Sequence, residues 1–361
     1  MRFLSDFEDI RARARAFWNQ DCLGRPMAAF PVRENGAAYR PNDYPQQPLP
    51  KDALERFFCD PAIVRARMLE KFEKTAFVGD ALPVIMPNYG PAGHAGAFGA
   101  KPVFRQDSIW YEPCLTDCEP VVYDPDAPIK RTQDEMVRYL HENNGGAYFV
   151  SMPDNCGSID ALAAMRGPEN LMMDFVEEPE WVESSVDEVI DGLFRINDPY
   201  FDCVKDDDAG GCVHAWMHLW APGRLAQMQC DFSAMISPAM YERFAVPELI
   251  KTGRRLDYAV YHLDGMEQVR HLDLILAVDE IDAIQWTPVA GQPRTSAFIG
   301  VFHKIQGAGK SLVLLPEPDE IEPLCRALRP EGLMLVCNSF PTEAAARETL
   351  RKLPLWCAQS E

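Results

Sequence analysis

The segment Tyr261-His262-Leu263-Asp264-Gly265 closes an apolar run, and Leu335-Val336-Cys337 closes another far downstream. Successive side chains of a strand alternate faces, so His262 and Asp264 share one face while Tyr261 and Leu263 take the other. Imidazole nitrogen, carboxylate oxygen and thiolate sulfur are the usual donors to zinc, and three of them with one open position describe a catalytic site. His262, Asp264 and Cys337 are therefore the candidate metal ligands. An open zinc site can lower the pKa of a thiol or polarise a carbonyl. Without metal, His262 and Asp264 have the residue types for proton transfer, because a carboxylate raises the basicity of a neighbouring imidazole. The bland alternative is a hydrogen-bonded pair beside a buried apolar cysteine.

Other chemistry-bearing residues fall at or near the ends of apolar runs. The run 212–220 alternates, which predicts His214, Trp216, His218 and Trp220 on an inward face, a wall suited to a planar organic substrate or simply a filled core. In Gln229-Cys230-Asp231-Phe232-Ser233, Asp231 is a candidate to orient a substrate hydroxyl or act as acid or base, although loop Asp residues more commonly make turns and caps. Asn88, Tyr89, Gln229, Gln285 and Trp286 complete the candidate substrate contacts, with Gln285 also a possible further ligand. The Cys114 to Cys118 spacing matches no common metal or redox pair and reads as a structural loop. The glycine-rich 88–96 stretch lacks the Lys-Ser/Thr of a nucleotide loop and reads as a tight loop over a pocket mouth.

These residues need a scaffold that gathers strand ends. From about residue 147 onward, β-type runs alternate with helix-type segments every roughly 25 to 35 residues, the rhythm of βα units around a parallel sheet. The runs are 147–151, 212–220, 258–264, 282–289, 311–315 and 332–337, and two more lie upstream at 27–32 and 82–86. Eight such units predict an α/β fold of the (β/α)8 TIM-barrel type, whose chemistry sits at the C-terminal strand ends. Crossover helices are expected over 238–256, 266–278, 295–306, 319–328 and 342–353. Residues 1–76 include covering helices at 4–20 and 50–76, and 88–144 reads as an elaborated loop region beside the barrel mouth. The whole of 1–361 is expected to be a single domain.

With 361 residues, 47% of them hydrophobic, the chain can bury a large core. A formal net charge of −20 argues against nucleic acid or an anionic membrane as partner and leaves small molecules or proteins. No run reaches the length of a membrane span, and Met1-Arg2-Phe3-Leu4-Ser5-Asp6-Phe7-Glu8 turns acidic too early for a signal peptide, so a cytoplasmic location is expected. Eleven cysteines without a repeated spacing fit reduced thiols better than a disulfide framework.

Through Ile236 to Phe244 with Pro247, His262-Leu263-Asp264-Gly265, Gly332 to Cys337, and Ile159 to Gly167 with Leu171 and Asp174, the chain resembles the uroporphyrinogen decarboxylase superfamily of (β/α)8 barrels, which includes cobalamin-dependent (corrinoid) methyltransferases. Ile236-Ser237-Pro238-Ala239-Met240-Tyr241-Glu242-Arg243-Phe244 with Pro247 looks like the family segment leading into a helix. His262-Leu263-Asp264-Gly265 stands in the place of the methyltransferases' His-x-Cys-Gly, and 332–337 in that of their distal zinc cysteine. Ile159 to Gly167, with Leu171 and Asp174, is also similar. The resemblance implies zinc, a methyltransferase or demethylase activity in one-carbon metabolism, and a corrinoid delivered by a separate protein. Two departures stand out. Asp264 replaces a zinc cysteine, which hardens the donor set. The segment Phe30-Pro31-Val32-Arg33-Glu34-Asn35-Gly36 lacks the decarboxylase's Arg-Gln-Ala-Gly-Arg pattern for tetrapyrrole propionates, which argues against a porphyrinogen substrate. The competing expectations are a metal-independent lyase or hydrolase that acts on a small organic acid through His262 and Asp264, and a non-catalytic small-molecule binding protein.

Overall fold

The computed structural model describes residues 2–4, 6–40, 44–45, 47–155, 157–206 and 210–357. Its strands are β1 (Met27–Arg33), β2 (Thr75–Gly79), β3 (Val84–Ile85), β4 (Lys101–Phe104), β5 (Ile109–Glu112), β6 (Phe149–Val150), β7 (Cys212–His214), β8 (Leu219–Ala221), β9 (Leu225–Met228), β10 (Tyr258–Asp264), β11 (Ala283–Thr287), β12 (Ser311–Leu314) and β13 (Leu333–Val336). Seven of them form one sheet in the order β2-β1-β13-β12-β11-β10-β9. All neighbours in it run parallel except β2, which returns antiparallel along β1. The strands β12 and β13 are buried at every position, as continuous apolar runs covered on both faces must be.

The α/β class and the mostly parallel sheet follow the rhythm of the sequence. The hydrogen-bonded ladder does not run around a full circle among the described residues, because β3 and β6 pair only with each other. The 212–220 run is not one strand. His218 takes a left-handed φ of 50° and residues 215–218 turn back, so β7 and β8 form an antiparallel hairpin with Cys212 opposite Ala221. The strand that feeds the sheet here is β9, which the sequence pattern did not reveal. The 88–144 region is also more ordered than a loop, with the β4–β5 hairpin and a helix at Pro128–Glu142.

The helix entered at Ser237-Pro238 has its Ser237 hydroxyl accepting the Met240 N–H at 3.2 Å, an N-terminal cap. It widens into a π-turn over Tyr241–Ala245 before continuing as Val246–Gly253. Pro247 has no N–H for the carbonyl of Arg243, which removes an ordinary helical bond at that turn. Outside the sheet, Tyr261 and Tyr241 meet through their hydroxyls at 3.0 Å, and Trp286 packs on Phe298 and Phe302. Before the N-terminal end of β1, Asp80 is fully buried and takes bonds from Arg13 Nε (2.7 Å), Arg25 Nη1 (2.7 Å) and the Ala28 N–H (2.8 Å). Among the described residues no helix is long and apolar enough to cross a membrane.

Candidate active site at the C-terminal strand ends

Parallel pairing of β10 with β11 sets His262 beside Gln285 and Asp264 beside Thr287. The two-residue period then fixes the faces, with His262 and Gln285 on one side and Tyr261 and Trp286 on the helix side. Gln285 is fully buried, and its Nε2 donates to the Trp286 carbonyl (2.6 Å) and to Thr287 Oγ1 (2.9 Å). Its Oε1 is thereby turned to His262 Nδ1, with which it is hydrogen-bonded. An amide oxygen only accepts, so the proton sits on Nδ1 and the Nε2 lone pair is left for a ligand or a proton. The Trp216 ring stands edge-on to His262, centroids 5.4 Å apart.

Asp231 arrives from the loop after β9, in the first turn of a 3-10 helix at Asp231–Met235. Asp160 holds that turn by accepting the N–H groups of Asp231 and Phe232, each at 2.9 Å. Gln229 donates to Asp231 (3.2 Å) and more loosely to Asp160 (3.4 Å), and Gln227 donates to Gln229 (2.6 Å). From behind, His271 Nε2 lies 3.0 Å from the Ser233 carbonyl and its ring stacks on Tyr241 at 4.4 Å. Gly157, at a φ of 76°, lets the chain pass: a Cβ there would sit 2.5 Å from the Asp160 carboxylate.

One ligand atom each from Asp231, His262 and Asp264 lies within 4.8 Å of the others. An imidazole and two carboxylates are a donor set that fits a divalent cation of borderline or hard character. The electrostatics agree. Burial, assisted by Asp231 and Glu267, pushes the Asp264 carboxyl above its ordinary range against the lowering pull of His262. Burial and the charge of Asp231 push Asp160 well above its own. Below them Glu248 is buried, bonded to the Ser158 N–H, and raised to about 7 by desolvation. A cleft of about 390 Å³ opens beside Asp231, lined by Asp160, Gln229, Trp110, Tyr111 and Phe232 together with small apolar residues.

The sequence candidates thus separate. Asp231, His262 and Asp264 converge, Gln285 orients His262, Gln229 lines the cleft and Trp216 adjoins His262. Cys337 lies outside the converged set. It follows directly after β13, three strands from β10 in the sheet, with its Sγ 3.7 Å from Ser339 Oγ and its thiol pushed by burial up to about 12. Trp286 is in the helix layer because its neighbour Gln285 faces inward. Trp220 is buried near the start of β10, where Arg15 covers its ring at 4.7 Å and Trp18, itself against Tyr258, donates to its carbonyl. His218 is enclosed, its Nδ1 bonded to the main chain of Leu82, and desolvation lowers its pKa to about 4. His214 is likewise buried and lowered to about 3. Asn88 closes a turn onto the Gly90 N–H (3.1 Å), and buried Tyr89 offers its carbonyl to the Tyr111 hydroxyl (3.0 Å). The family-like 159–167 segment forms a helix whose Arg166 pairs with Asp174 at 2.7 Å. Asp160, in its first turn, entered the sequence reading only as part of that family-like segment and not as a site residue.

No family model matches the chain, and no curated protein matches it. A solved structure described as a methyltransferase from Methanosarcina mazei is similar over 96% of this chain and 98% of its own, with a TM-score of 0.57 and 11% identity. At that identity the likeness establishes a shared fold.

Proposed function

We infer that the protein is a metal-assisted methyltransferase, a single (β/α)8 barrel of the uroporphyrinogen decarboxylase type that exchanges methyl groups with a corrinoid held on a separate protein. The convergence of His262, Asp264 and Asp231 carries this reading. The order β9-β10-β11-β12-β13-β1 is the cyclic order of a barrel, and the parallel pair β3–β6 comes between β1 and β9 in the chain, where the two remaining strands belong. The similar structure, itself described as a methyltransferase, supports the same activity.

His262 through Nε2 and the carboxylates of Asp231 and Asp264 would hold the metal, with zinc the first candidate. Its positive charge would favour the anionic form of a methyl acceptor such as a thiol. Gln285 keeps His262 in the tautomer this needs, and Asp160 fixes the turn that presents Asp231. Met235 and Met266, each about half exposed, follow β9 and β10 and offer apolar contacts for a partner that brings the corrinoid. A second reading is favoured by the free Nε2 of His262: acid–base catalysis without metal, with Asp264, whose carboxyl burial raises above its ordinary range, beside it.

Metal stoichiometry on untagged protein, beside His262→Ala, Asp264→Ala and Cys337→Ser, tests the proposal. Near one metal per chain is expected, lost in the first two variants and retained in the third. A chain that stays metal-free after zinc is supplied would abandon the metal reading for acid–base catalysis. A metal-loaded protein that moves no methyl group to or from a corrinoid protein would reject methyl transfer itself.

A further inference from the structure

The cleft beside Asp231 has a one-sided chemistry. Among the described residues, the carboxylates on its wall are Asp160 and Asp231, and no lysine, arginine or histidine lines it. Its remaining polar contact is Gln229, and the rest is apolar, including the rings of Trp110, Tyr111 and Phe232. An anionic substrate entering here would face two carboxylates with no counter-charge, inside a protein of net charge −20.

The walls are held in place before any ligand arrives. The Tyr111 hydroxyl is anchored on the Tyr89 carbonyl at 3.0 Å. Phe232 stacks on Phe175 at 5.4 Å and 19°, and its N–H is fixed by Asp160 at 2.9 Å. Trp110 by contrast leaves 49% of its surface in water at the cleft edge, an apolar face without a cover. Rigid aromatic faces and a carboxylate around one cavity are what a desolvated organic cation needs: the rings attract it through their quadrupoles and the carboxylate balances its charge. Asp231 is already committed to the converged set with His262 and Asp264, which leaves Asp160 as the counter-ion.

We propose that this cleft binds an organic ammonium ion with an apolar body, methylated at nitrogen, with Asp160 as counter-ion and Trp110, Tyr111 and Phe232 as its aromatic wall. The inference rests on placing the active site at this end of the fold. It suits methyl transfer, because a cationic nitrogen can leave as a neutral amine: the C–N bond breaks with its electron pair staying on nitrogen, the methyl passes to a nucleophilic acceptor, the reduced corrinoid of the proposed partner protein, and the neutral amine departs.

The test is calorimetric titration of the full chain with phenyltrimethylammonium, with tert-butylbenzene as its neutral isostere and with benzoate, each on chelator-stripped and on zinc-supplied protein. The expected result is binding of the cation at least about 10-fold tighter than the isostere, and no binding of benzoate. Asp160→Asn should erase the preference for the cation, and Trp110→Ala, which removes a half-exposed ring and leaves the core intact, should weaken the cation about 10-fold. Equal affinity for cation and isostere, or binding of benzoate, overturns the proposal, as does unchanged affinity in folded Trp110→Ala. Cation preference in a protein that takes up no metal would sink the metal reading and leave this inference standing. Metal uptake without cation preference would do the reverse.

Discussion

Two acidic regions of this chain, one fully buried and one partly open to solvent, have been given opposite environments. Near the N-terminal end of β1, Asp80 has no exposure and is met by Arg13, Arg25 and a backbone N–H, so its charge is fully answered within the fold. At the C-terminal strand ends Asp231, Asp264 and Asp160 gather with no arginine or lysine among the described residues bonded to them, and burial together with mutual repulsion raises two of the three. The first arrangement spends its carboxylate on stability. The second leaves carboxylates short of positive charge, which is a destabilising arrangement unless a cation or a proton comes to it. A site that must bind something cannot also satisfy itself.

That contrast predicts where substitution will hurt. Asp80→Ala strands two arginines near a buried position and should cost about 3–5 kcal/mol in denaturant unfolding, whereas Asp231→Ala should cost less than about 1 kcal/mol. Comparable losses at both ends would break the comparison. Glu248, beneath the candidate site, sharpens it through pH. Its folded pKa of about 7 lies above the ordinary value of 4.5, so the folded state holds the proton more tightly than the unfolded chain. The stabilisation is complete below the unfolded value and is lost as pH rises through about 7, up to roughly 3 kcal/mol. Glu248→Gln should flatten the wild-type decline in stability between pH 5 and pH 8 on the acid side, and an unaltered slope would show that Glu248 is not the group responsible. The smallest effect is expected at Gln285. Gln285→Leu leaves His262 in place but frees its tautomer, and metal affinity should fall about 10-fold, with little change in cobalt-substituted coordination number. Affinity equal to wild type would mean that the hydrogen bond does not orient the ligand.

Much of this could be seen in the residue order, for reasons that are local. The period-2 alternation in 258–264 correctly separated His262 and Asp264 from Tyr261, and the apolar runs that became β12 and β13 were continuous because both faces of a parallel strand are covered. The same alternation misled at 212–220. A hairpin with one left-handed residue, His218, keeps an alternating pattern while reversing direction, so Trp220 went to the far end of the fold. Gln285-Trp286 shows a finer limit. Adjacent strand residues cannot face the same way, and only pairing with His262 decided that the glutamine is the inward one.

The sequence by itself determined the α/β class, the strands that carry His262 and Asp264, and the acidic, phosphate-averse character of the surface, because periodicity and charge are properties of short stretches. Only the tertiary structure decided that the side chain converging with them is Asp231 and not Cys337, that Gln285 sets the imidazole tautomer, and that Asp160 holds the turn bearing Asp231. Each of those depends on which strand ends and helix turns meet in space, and the distances between residues far apart in the chain are set by sheet order and packing, which no local pattern encodes.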